Sequence, residues 1–177
     1  MAAICVRTVI SRTALLAALC TAACTDPAEP GEPDPDEPAP DGDPGATDDP
    51  QLPPRGHAAL TSWLAAGHYK AWACEPAPHP ARPQGAHGEN RICSNAALSA
   101  SASGAYPIGA ASVKELYRNG AIAGYAVGVK IAAPAAGSSW YWYEAVGSSV
   151  IADAVDRPLC SGCHQGAPRD FVFTHVR

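Results

Sequence analysis

Met1 is the only methionine in the chain, so once an N-terminal leader is removed no thioether is left to offer a metal. Phenylalanine is nearly as scarce, with two residues against four Trp and six Tyr, which puts the aromatic load on side chains that carry a polar handle. Long apolar runs are missing too: residues 14–23 form an apolar stretch of ten residues, half of the ~20 that a membrane-spanning helix needs. Lys and Arg are absent from residues 26–50. Beyond residue 50 ten Lys plus Arg stand against seven Asp plus Glu, a balance too mild for a nucleic-acid footprint.

What is present at the N-terminus reads as an export signal. Arg7 and Arg12 flank the apolar stretch, and Thr21-Ala22-Ala23 places small residues before Cys24, the pattern a lipoprotein signal peptidase requires. Residues 1–23 are therefore expected to be a leader and Cys24 a lipidation site; ordinary cleavage nearby, or use of Cys20 behind bulky Leu19, is the alternative. Residues 24–54 follow with ten of the seventeen acids of the chain and eight prolines between positions 26 and 50. Such a segment cannot bury a core and reads as an extended, self-repelling tether. About 120 residues remain, enough for one domain at 55–177. The net charge of −5 thus belongs to the tether rather than the domain.

Export also sorts the seven cysteines. Cys5 and Cys20 leave with the leader, Cys24 takes the lipid, and Cys74, Cys93, Cys160 and Cys163 remain. In an oxidising compartment Cys74 and Cys93 read as a disulfide closing a Pro- and Gly-rich loop; two free thiols, or a second metal site with His79 and His87, are the competing readings. Cys160-Ser161-Gly162-Cys163-His164 is the C-x-x-C-H pattern of covalent haem attachment, in which the thiols add to the two vinyl groups and the next imidazole becomes the proximal iron ligand. A zinc half-site would need two further ligands, and a disulfide within the motif is the remaining alternative. One haem c on Cys160 and Cys163, with His164 on the iron, is the expectation. Without a methionine the sixth position is either closed by His57, His68, His79, His87 or His175, as in a bis-histidine electron carrier, or open to a small molecule.

The elements expected around this motif are mostly strands. Leu60, Trp63 and Leu64 recur at helical spacing between Gly56 and Tyr69, which predicts an opening amphipathic helix with Trp63 and Trp72 as core. Residues 74–89 read as loop, and residues 96–103 as a short helix capped by Asn95. Asn119-Gly120 between residues 110–118 and 121–131 is a hairpin signal. In an unbroken two-residue hairpin Lys114 faces Tyr125 across the ladder, and both look toward one surface. Residues 140–146, rich in Trp and Tyr, predict a third strand; residues 151–155 then lead through a short helix into the haem motif. The fold class expected is α+β, mainly antiparallel sheet with short flanking helices.

With these elements in place, the second half of the chain resembles the cytochrome P-460 and cytochrome c′-beta family. The resemblance rests on Ala86-His87-Gly88 followed by Asn95, on Tyr106-Pro107-Ile108-Gly109 leading into Val113-Lys114-Glu115-Leu116, and on Trp140-Tyr141-Trp142-Tyr143. It ends on the haem motif followed by Asp170-Phe171-Val172-Phe173-Thr174. It implies a homodimeric, mainly β protein with a high-spin haem whose distal side is open. Members named for the P-460 chromophore carry a lysine joined covalently to the porphyrin edge and oxidise hydroxylamine; c′-beta members lack the link and bind NO or CO. The Val-Lys-Glu-Leu setting implies Lys114 for that lysine, with Tyr125 and His87 as further pocket candidates and Lys130 and His175 as weaker ones. Some hydroxylamine-oxidising members carry an acid on the next strand where this chain has Ala126. The activity implied is hydroxylamine or nitric oxide oxidation with a periplasmic redox partner, at a membrane held through the lipid; NO or CO binding without oxidase activity, or bis-histidine electron transfer, are the alternatives.

Overall fold

The computed structural model describes residues 52–83 and 85–177; the leader, Cys24 and nearly all of the expected tether lie outside them. Six strands, β1 (Ala73–Cys74), β2 (Asn90–Ser94), β3 (Ala111–Arg118), β4 (Ala121–Lys130), β5 (Trp140–Val146) and β6 (Ser149–Val155), follow one another in chain order across a single antiparallel sheet. Three short helices, α1 (His57–Ala66), α2 (Ala96–Ser99) and α3 (Pro158–His164), flank it. The chain is thus a mainly-β α+β fold, as its alternating pattern requires. Among the described residues no helix is long and apolar enough to cross a membrane.

Local chemistry sets the turns and caps. Asn119 and Gly120 take φ values of 53° and 76°, the pair of positive angles that a tight hairpin turn demands. Asn95 caps α2 by accepting from the Leu98 amide at 3.0 Å, and the same oxygen accepts from the Ala111 amide at 3.0 Å. One side chain therefore joins a helix start to the first residue of β3. Helix α2 ends at Ser99 rather than reaching residue 103. Three strands lie where none was expected: β1 and β2, at the two ends of the disulfide-closed loop, and β6, which begins at Ser149 and runs through the residues leading to the C-x-x-C-H motif.

The β3–β4 register differs from an unbroken hairpin. Arg118 pairs with Ala121 and Tyr117 with Ile122, but Leu116 pairs with Gly124, leaving Ala123 as an extra residue. Because side chains alternate with a period of two, this bulge moves every later β4 side chain to the other face. Lys114 consequently stands across from Ala126, and Tyr125 across from Glu115; the expected Lys114–Tyr125 pair does not form. Gly124 makes the bulge possible, since a Cβ there would lie 2.1 Å from the Ala145 carbonyl oxygen of β5.

The two faces of the sheet carry separate cores. On one, Leu60, Trp63, Leu64 and Tyr69 from the α1 region pack on Val113, Val127, Val129, Tyr141 and Tyr143. Leu60 has no exposed surface, and its truncation to Ala is of the class that costs about 2–5 kcal/mol. Tyr125 joins this core and sets its ring edge-on to Tyr69 at 6.1 Å. On the other face Leu98, Tyr106, Trp140, Trp142 and Val172 form a second cluster with Cys160 and Phe171 against it. The disulfide expected between Cys74 and Cys93 is present and ties β1 to β2.

Candidate functional site

A cavity of about 540 Å³ opens on the second face, within the ~300–1,000 Å³ usual for ligand sites. Ser112 and Lys114 of β3, Ala126 and Gly128 of β4, and Trp142 and Glu144 of β5 contribute from the sheet. These positions alternate along their strands, so the bulge that turns Tyr125 away also turns Ala126 inward. Cys160, Cys163 and His164 of α3 and the segment from Phe171 to Thr174 contribute from beyond the sheet, with Arg82 and His87 from the loop before β2.

Helix α3 begins with Pro158 in its first turn, where a missing N–H costs nothing. Three residues apart on that helix, Cys160 and Cys163 share a face, and both thiols are free. Burial pushes the Cys160 thiol up to about 11, with the Glu144 charge adding to it, so this sulfur is protonated at neutral pH. Burial lowers the pKa of His164 against the opposing effect of its hydrogen bond to Phe171. That bond runs from Nδ1 to the Phe171 carbonyl oxygen at 2.7 Å. A carbonyl only accepts, so the proton sits on Nδ1 and the lone pair of Nε2 is left for a metal. The Trp142 ring at 4.5 Å and the Phe173 ring at 5.4 Å hold the imidazole from its sides.

Lys114 is half-buried. Burial lowers its pKa, the Arg82 charge lowers it further, and Glu144 and Glu75 oppose; the net shift is downward, toward the deprotonated form in which an amine is a nucleophile. Glu144 stands across the ladder from Ala126. Its carboxyl is held below the usual carboxylate range chiefly by the neighbouring His87 imidazole, with burial opposing. His87 Nδ1 lies 3.5 Å from Glu144 Oε1, and the His87 ring centre is 6.4 Å from that of His164.

Two buried polar atoms on the cavity wall, Asn90 Oδ1 and Trp142 Nε1, make no hydrogen bond among the described residues. Such groups ordinarily find partners, so the wall presents an acceptor oxygen and a donor N–H that a polar ligand would satisfy. Among the described residues no group of three or more His, Cys, Asp or Glu side chains is arranged to hold a metal ion. A structural zinc site, which takes four donors from protein, is therefore not assembled among the described residues. A haem brings four nitrogens of its own and asks only for the thiols and one imidazole.

No protein-family model, characterised protein or solved structure matches the chain. Its functional reading therefore stands on the cavity itself. Of the other histidines, His57 meets the Tyr143 hydroxyl, His68 packs on Trp63, His79 pairs with Glu75 and His175 meets the Tyr106 hydroxyl. Only His87 reaches the cavity. Tyr125 belongs to the opposite face, and Lys130 is buried in an ion pair with Asp170 instead of lining the site. Glu144, Asn90 and the Phe171 carbonyl were not legible as site groups. Glu144 carried a signal nonetheless: it is the one charge in Trp140–Val146 and lies in phase with Trp140 and Trp142.

Proposed function

We propose that the chain is an exported monohaem c-type cytochrome of the cytochrome P-460 and c′-beta kind, acting on hydroxylamine or nitric oxide at an iron whose distal side is open. The observation that carries this reading is the convergence of Cys160, Cys163 and His164 with Lys114 on one cavity. Cys160 and Cys163 would hold the macrocycle through thioethers, and His164 would hold the iron through Nε2. When bound, the haem supplies one-electron redox chemistry and a coordination position for a small nitrogen–oxygen molecule or a diatomic gas. The residues around it do the rest. Trp142 and Phe173 keep the proximal imidazole in place, the Phe171 carbonyl keeps its proton on Nδ1, and the Glu144 carboxylate offers an acceptor for a substrate proton.

A second reading, binding of NO or CO without oxidation, draws on Ala126, which puts no acid opposite Lys114. In either case the domain is proposed to act on the periplasmic side of a membrane, tethered through Cys24, as a homodimer and with a redox partner of its own. Absorption spectra of the purified protein test the proposal. A pyridine haemochrome of c type, a high-spin ferrous spectrum and hydroxylamine-dependent reduction of an added electron acceptor are expected. Absence of covalent haem from protein matured in an exporting host overturns the cytochrome reading, and sharp low-spin bands in the ferrous protein overturn the open site.

A further inference from the structure

Lys130, at the end of β4, is one of the most deeply buried side chains of the domain, with 1 % of its surface exposed. Its ammonium donates to Asp170 Oδ1 at 2.7 Å and to the Pro134 carbonyl oxygen at 2.7 Å. Asp170 is fully engaged in turn: Oδ1 also accepts from Trp140 Nε1 at 3.3 Å, and Oδ2 accepts from the Tyr106 amide at 2.7 Å. A charge pair taken this far out of water is a poor source of net stability, because desolvation offsets much of the attraction. It does define where its two chain segments must be.

The backbone at Asp170 and Phe171 is unusual. Their φ values are 38° and 64°, in the left-handed region that side chains with a Cβ seldom adopt. Such a conformation persists only where the surroundings over-determine it. The surroundings here act from both sides. Asp170 is pinned inward by Lys130, Trp140 and Tyr106, while the neighbouring Arg169 guanidinium donates outward to the Ser101, Ser103 and Gly104 carbonyl oxygens. The left-handed pair aims the Phe171 carbonyl at His164 Nδ1.

We infer that Lys130 and Asp170 are positioning residues for His164, acting through the Phe171 carbonyl to fix the tautomer and ring plane of the imidazole and the basicity of its free nitrogen. The part that concerns iron rests on the proposed haem function; the hold on the tautomer does not. Lys130→Met and Asp170→Asn, singly and together, test it. The double variant removes both charges at similar volume and so avoids stranding one of them in the core. Arg169→Gln loosens the same segment from outside without uncovering a buried charge.

In the ferrous protein, resonance Raman reads the iron–imidazole stretch, which falls in frequency when the Nδ1 hydrogen bond weakens. A downward shift is expected in the double variant and a smaller one in Arg169→Gln, with the circular dichroism of the sheet retained. An unchanged frequency in every folded variant overturns the inference and leaves the pair a packing feature. Should the purified protein carry no haem, the cytochrome reading fails separately, and the same variants are read by nitrogen NMR of His164. There the wild type is expected to hold the Nδ1–H tautomer and the variants to mix the two; a single unchanged tautomer throughout overturns the inference.

Discussion

His87 Nδ1 faces the Glu144 carboxylate at 3.5 Å on the wall of the cavity, which makes these two the groups best placed to act on whatever enters beside His164. His87 is also the one remaining histidine that the described residues bring to the cavity, so the question of a sixth iron ligand narrows to a single side chain. His87→Ala is expected to leave a high-spin ferrous spectrum unchanged. Conversion of a low-spin wild type to high spin would instead make the protein a bis-histidine carrier. Glu144→Gln is expected to lower hydroxylamine-dependent reduction of an acceptor by about 10²-fold or more, the usual scale for losing a positioned base. CO affinity, which needs no proton transfer, should move only slightly; equal losses in both would mean that Glu144 shapes the cavity rather than accepting a proton.

Lys114 offers an amine that burial keeps toward its neutral form. Joining its nitrogen to a porphyrin carbon removes one hydrogen from each partner and so requires a two-electron oxidant of the peroxide class. Digestion of protein matured with peroxide is expected to yield a haem peptide carrying both the Lys114 segment and the Cys160–Cys163 segment. Lys114→Ala should then return the red-shifted Soret band to that of an ordinary c-type haem. Recovery of the Lys114 peptide free of haem after such treatment would favour the gas-binding reading.

The Cys74–Cys93 disulfide spans 19 residues, and in the chain-entropy account, which is model-dependent, a loop of that size is worth about 3 kcal/mol. Peptide mapping after alkylation without reduction should find neither cysteine modified. Reduction, or the Cys74→Ala/Cys93→Ala pair, should lower the urea midpoint by an amount corresponding to about 2–4 kcal/mol. Alkylation of both residues in unreduced protein would contradict the bridge.

Acid sensitivity should come partly from Glu75. Burial alone would raise its carboxyl pKa, but the Arg82 hydrogen bond, the Ile92 amide and His79 outweigh it and hold the group below the usual range. A depressed folded-state pKa means stabilisation that is complete above the unfolded value of about 4.3 and fades as pH falls through the folded value. Glu75→Gln is therefore expected to cost about 1–3 kcal/mol at pH 7 and progressively less below about pH 4. Urea titrations of both proteins across pH 3–7 measure the difference, and a gap that stays constant would assign the cost to packing instead.

Short-range chemistry was readable from the chain alone. The Asn119-Gly120 turn, the alternation of β4, the aromatic strand at Trp140–Val146, the Asn95 cap and the C-x-x-C-H motif all depend on neighbours a few residues apart, where φ preferences and a period of two or 3.6 leave little choice. The Cys74–Cys93 pairing was expected from the oxidising compartment that an export leader, if residues 1–23 are one, would imply.

What tertiary structure alone decided are relationships in which one residue's role depends on another far away in the chain. A bulge at Ala123, accommodated by the close approach of Gly124 to Ala145, moves Tyr125 out of the site and Ala126 into it; no local preference announces that slip, because alternation reads equally well in either register. Glu144 enters the cavity because β5 follows β4 in phase. Lys130 is a buried partner of Asp170 rather than a solvated charge, across 40 residues of sequence. Local pattern determines which side chains share a face, whereas only the packed sheet determines which face meets α3, since that choice is made by burial energy summed over the whole domain.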